Sequence, residues 1–168
     1  MLDINSLDFN SSYWTKLMVS PLLHRSSVLH AYLALRLEDN FYRVELKFPS
    51  KLERREFVES VSNEREAVEG LERFVTFPFS LHVKEPSIIT SIEDSKLTKD
   101  ILDYARYELP FQIPADAQYC SGCTEESFNS NSVIHLICSQ CPQLGELPSQ
   151  AVGKRLDLER RIYAIAAE

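Results

Sequence analysis

The sequence predicts an α+β fold, a small antiparallel sheet packed by two or three helices. Apolar residues alternate at Leu29, Ala31, Leu33, Leu35 and Leu37, and again at Tyr42, Val44, Leu46 and Phe48, with Glu38-Asp39-Asn40 between the two runs. That is the pattern of a β-hairpin with one buried face. Helical spacing returns between Ser95 and Glu108, where Leu97, Ile101, Leu102 and Ala105 fall on one side. A composition of 44% hydrophobic and 26% charged residues with 4 Gly is that of a folded chain rather than a low-complexity one. At 168 residues there is room for one ordinary domain, or for one domain with a small appended module.

Leu2 to Pro21 carries the only Trp, Trp14, and follows neither period, so an arm or short helix docked on the core is expected there. In the hairpin that follows, Val28 to Leu37 would also pass as a helix. Ser50-Lys51-Leu52-Glu53 has the form of a capping box and predicts a helix running to about Gly70, with a break near Ser62-Asn63. Val75, Phe77, Phe79, Leu81 and Val83 alternate as in a strand, and Pro78 assigns that strand to an edge or a bulge. Ser87 to Ile92 is a short β-branched run, and Pro110 is expected to stop the helix that starts at Ser95. A last amphipathic helix is expected from about Ser149 to the end, with Leu156, Leu158, Ile162 and Ile165 on its apolar side. The division drawn from these elements is a core domain over 1–112 and a cysteine module with the terminal helix over 113–168, packed on that core.

A net charge of −7 disfavours sequence-independent attachment to phosphate backbones. Lys51, Arg54 and Arg55, and later Lys154, Arg155, Arg160 and Arg161, are interleaved with acids, as on solvated helix faces. No run approaches the 18 to 20 or so apolar residues that cross a bilayer, and Met1-Leu2-Asp3-Ile4 lacks the basic and apolar regions of a secretory signal. The expectation is an intracellular chain, cytoplasmic or nuclear, with no membrane attachment.

All 4 cysteines fall between positions 120 and 141, whereas a disulfide framework would spread its bridges over the fold. They form two C-x2-C turns, Cys120-Ser121-Gly122-Cys123 and Cys138-Ser139-Gln140-Cys141. Each turn brings two thiolates to one side of a tetrahedral Zn²⁺ without straining the backbone. Between them, Val133-Ile134-His135-Leu136-Ile137 reads as strand and suggests a hairpin that delivers the second turn beside the first. Residues 119 to 142 resemble a zinc ribbon. The resemblance implies that Cys120, Cys123, Cys138 and Cys141 hold one Zn²⁺ in a closed, structural site. Reduced core thiols, a dithiol switch or an iron-sulfur cluster would use the same residues. With four thiolates at hand, His135 is not needed as a ligand.

Glu45-Leu46-Lys47 on a hairpin after an acidic turn resembles the core of restriction-endonuclease-like nucleases. That resemblance implies Asp39 and Glu45 as Mg²⁺ ligands and Lys47 as base or charge stabiliser. The plainer explanation is alternating charge on the wet face of a strand. No phosphate loop or nucleophile motif occurs, and His24, His30 and His82 are isolated in sequence, as structural histidines are. These features together lead to the expectation of a non-enzymatic, zinc-stabilised adaptor or assembly factor acting through protein-protein contacts. The alternatives are a nucleic-acid-associated regulator and the Mg²⁺-dependent nuclease.

Overall fold

Within the segment expected to be an arm, Tyr13–Pro21 is an inner strand of a sheet. The computed structural model describes residues 11–21, 29–46, 56–69, 86–113, 118–119, 127–128 and 130–151. Five strands, β1 (Tyr13–Pro21), β2 (Leu29–Leu37), β3 (Asn40–Val44), β4 (Val58–Val61) and β5 (Ser87–Ile92), pair antiparallel in the order β4-β3-β2-β1-β5. β1 runs in unbroken register with β2 from Tyr13↔Leu37 to Pro21↔Leu29. Trp14, Leu17, Met18 and Val19 are all buried, because the sheet is covered on both faces. A strand buried on both faces loses the alternation that would mark it in sequence.

One face carries Leu17, Val19, Ala31, Leu33, Leu35 and Val44 into the larger core. The other carries Trp14, Met18, Tyr32 and Ala34 against Ala67. The β2–β3 hairpin forms as expected, with Glu38 at φ +57° in its turn, but its second face is not wet. Residues 47–55, with the proposed cap at Ser50, lie outside the described residues, as does the expected strand at Val75 to Val83. The helix expected across residues 56–63 is instead β4, which pairs Val58 with Val44 and Val61 with Phe41 and leaves Phe57 buried. Pairing with β3 overrides the helix propensity of the surrounding Glu and Arg residues. The break at Ser62-Asn63 is where α1 (Glu64–Glu69) starts: Asn63 Oδ1 accepts from Glu66 N at 2.9 Å and Glu66 Oε2 from Ser62 N at 2.8 Å.

Helix α2 (Ser95–Asp103) is capped by Asp94, whose Oδ1 accepts from Leu97 N at 2.8 Å. It buries Ile101 and Leu102 as the spacing predicts. Pro110 does not stop the chain. A π-helical segment, Tyr104–Glu108, hands over to α3 (Leu109–Gln112), and Pro110 sits in the first turn of α3, where no intrahelical N–H is required.

Two short parallel strands follow, β6 (Gln118–Tyr119) and β7 (Ser127–Phe128). The strand expected at Val133 to Ile137 is helix: α4 spans Ser130–Gln140, followed by a 3₁₀ turn at Pro142–Leu144. Val133, Ile134, Leu136, Ile137 and Cys138 are all buried, so apolar residues surround the helix and erase its period. They share the larger core with the sheet and with Leu144, Leu147 and Ala151. Ser149 and Gln150 form a turn, and the remainder of the expected terminal helix, from residue 152, lies outside the described residues. Among the described residues no helix is long and apolar enough to cross a membrane.

Candidate metal centre and buried charge cluster

Cys138 lies in the last turn of α4 and Cys141 just beyond it, both buried. The second C-x2-C turn is therefore a helix terminus, in which Cys141 N–H reaches Ile137 O at 3.0 Å and Cys138 O at 3.2 Å. Burial, then the neighbouring Cys141, pushes the Cys138 thiol up to about 12. Burial raises Cys141 as well, opposed by the nearby backbone amides of Leu144 and Gln143, while its Sγ–H donates to Gln143 Oε1 at 3.4 Å. Amide donors of this kind stabilise a thiolate, the form that binds metal. His135 is a half-buried residue of α4, not of a strand.

Cys120 and Cys123 lie outside the described residues. Their surroundings set a requirement nonetheless. Tyr119, the residue before Cys120, pairs with Phe128 two residues ahead of α4, whereas Cys138 stands eight residues along that helix. Eight residues of α-helix rise about 12 Å, so one four-sulfur site requires the 120–126 segment to run beside α4. Among the described residues no three His, Cys, Asp or Glu side chains group as metal ligands would.

On the second face of the sheet lies a cluster that sequence reasoning dispersed. Arg43, which shares with Glu45 the face of the hairpin read as wet, is buried with it. Arg43 Nε donates to Glu45 Oε1 at 2.8 Å and its Nη1 to Ala67 O at 3.3 Å. The guanidinium stacks 3.6 Å from the Tyr32 ring centre, and Tyr32 Oη donates to Val68 O. His30 Nε2 stands 2.8 Å from Glu45 Oε2, with its ring stacked on Tyr32. Burial works to raise the Glu45 carboxyl, but the His30 hydrogen bond and the Arg43 charge outweigh it and hold the group at about 2. An ionised carboxylate only accepts, so His30 Nε2 is the donor in this contact whether the ring is neutral or charged, and Nδ1 is the nitrogen at which the two forms differ.

Among the described residues, the two carboxylates of the nuclease constellation are not brought together. Asp39 occupies the exposed hairpin turn at one end of β3 and Glu45 follows the other end, about 20 Å along an extended chain. Both Glu45 oxygens already have partners. Lys47 lies outside the described residues, as do His24, His82 and the two basic groups. The available signal was the pairing of two i,i+2 polar sets, His30/Tyr32 and Arg43/Glu45, on adjacent strands.

The start of α4 meets β2 beside His30. Asn131 Oδ1 accepts from Ala31 N at 2.8 Å, its Nδ2 donates to Leu29 O at 2.9 Å, and Ser130 Oγ donates to Ala31 O at 3.3 Å. Compared with models of protein families, with curated proteins and with solved structures, the chain matches none of them.

Proposed function

We propose that this protein is a non-enzymatic adaptor or assembly factor that works through a protein-protein contact, stabilised by one structural Zn²⁺ on Cys120, Cys123, Cys138 and Cys141. The observation that carries the contact is a pair of aromatic side chains at i,i+4: Tyr107, 66% exposed, and Phe111, 87% exposed. Large aromatics in solvent contribute nothing to the chain's own core, and such residues dominate the energy of interfaces. They stand at the end of the helical segment that leads toward Cys120. Affinity capture with the full chain and with a folded Tyr107→Ser/Phe111→Ser variant tests this. A partner that the wild type recovers and the variant loses supports the proposal, and equal recovery by both, or none by either, refutes it.

The contact of His30 with Glu45 favours a second reading. A histidine oriented by a buried carboxylate, 21% exposed at its side chain and bearing its basic nitrogen opposite, is the base-orienter half of a hydrolytic site. In this reading His30 is a general base, Glu45 orients it, and the protein is an enzyme. Turnover of an ester or amide panel, abolished in folded His30→Gln, would support it; no turnover across the panel rejects it.

A further inference from the structure

β2 keeps β3 as its neighbour only as far as Leu33↔Val44. Past that pair neither Glu45 nor Leu46 is paired with β2, and Glu45 N–H donates to Phe57 O on the β4 side at 2.9 Å. The backbone groups of Leu29 and Ala31 on that side then need other partners, because buried amides and carbonyls left unpaired are costly. They find them in α4 and after it. Leu29 N donates to Gln150 O at 3.0 Å, and the Asn131 amide closes the rest of the gap, accepting from Ala31 N and donating to Leu29 O. One carboxamide thereby reproduces the donor-acceptor pair of a neighbouring strand. The residue it brackets is His30.

We infer that Asn131 is the positioning residue for His30: its amide holds the backbone on both sides of the histidine and so aims Nε2 at Glu45. The inference rests on the reading of His30 as a general base. It adds the reason why a residue on α4, 101 positions away in sequence, governs the imidazole. Leu29 and Ala31 point their side chains into the larger core on one face, and His30 points its ring to the other. A twist of this short stretch of β2 would therefore swing the imidazole off the carboxylate.

Nitrogen-15 NMR of the histidine side chains in the full chain, with His30 assigned by comparison with His30→Gln, tests this. The wild type is expected to show neutral His30 as a single tautomer with the proton on Nε2. Folded Asn131→Ala is expected to lose that signature and distribute the proton over both nitrogens, which a purely structural loss of stability would not do. A folded Asn131→Ala that keeps the wild-type tautomer overturns the positioning role. A wild type without the Nε2 proton overturns the base-orienter reading itself. If Asn131→Ala does not fold, amide exchange in the wild type decides: an Ala31 N–H protected like the paired residues of β2 supports the clamp, and fast exchange there overturns it.

Discussion

Arg43 and Glu45 are two residues apart, joined at 2.8 Å between Nε and Oε1, and both are buried. Such a pair stabilises little relative to apolar residues of equal volume, yet removing one partner strands the other charge. Arg43→Met is therefore expected to destabilise the fold by about 3 to 5 kcal/mol. Arg43→Met/Glu45→Leu is expected to recover a large part of that loss. Urea unfolding of the wild type, both single variants and the double variant checks it, and additive losses would contradict the pairing argument.

The same carboxylate predicts an acid limb in stability. Its ordinary value is 4.5 and its folded value about 2, so the native state resists the proton that the unfolded chain accepts. The contribution is fully present above about pH 4.5 and disappears as pH falls toward 2, a change of roughly 3 kcal/mol. Denaturant midpoints followed from pH 7 to 2.5 should drop more steeply in the wild type than in Glu45→Gln. Parallel curves would remove Glu45 from the account.

The legible parts of this fold are those where a single face is buried or a break is unambiguous. β2 and β3 were readable because Glu38-Asp39 interrupts their alternation, and α2 because Leu97, Ile101 and Leu102 share the side that packs on the larger core. β1 and α4 were not, since each is apolar in nearly every direction: Trp14 and Met18 face one layer, Leu17 and Val19 the other. β4 was hidden by its charged neighbours. The Glu45 cluster was hidden by an assumption, that the hairpin has a wet face, which fails once α1 lays Ala67 over it.

Glu38 adopts φ +57° in the β2–β3 turn, a region that costs a branched or long side chain about 1 kcal/mol and that Asn and Gly enter readily. Its side chain accepts from Tyr13 Oη at 2.6 Å, an exposed contact of small value. Glu38→Asn is expected to raise the Tm by roughly 1 to 3 °C. A calorimetric scan that shows a lower Tm would mean that the Tyr13 contact outweighs the backbone term.

Thr15 and Thr98 are fully buried and join β1 to α2 through a 2.9 Å contact between their hydroxyls. Thr98→Val leaves the Thr15 hydroxyl without that partner and is expected to cost about 1 to 3 kcal/mol. Replacing both by Val keeps the shape and removes both polar groups, so the double variant should lie close to the wild type. The double-mutant cycle measures this directly. Equal, additive losses would show that the two hydroxyls do not depend on each other.

Zinc is the prediction with the most at stake, because the two halves of the cysteine set meet different structural conditions. Cys138 and Cys141 are held at one helix end with backbone amides near the Cys141 sulfur, while Cys120 follows a strand tied to the far end of that helix. If the four thiolates share one ion, elemental analysis of untagged protein finds one Zn²⁺ per chain. Cys120→Ser and Cys138→Ser then each lower its retention, and a strong chelator lowers the unfolding midpoint of the wild type. Binding should also weaken steeply as pH falls, because each thiol must surrender a proton to the solvent before it can ligate. Iron with visible absorbance would put an iron-sulfur cluster in place of zinc on the same four thiolates, whereas zinc held equally well by Cys120→Ser would break the four-cysteine site and leave the α4 pair as buried thiols of the core.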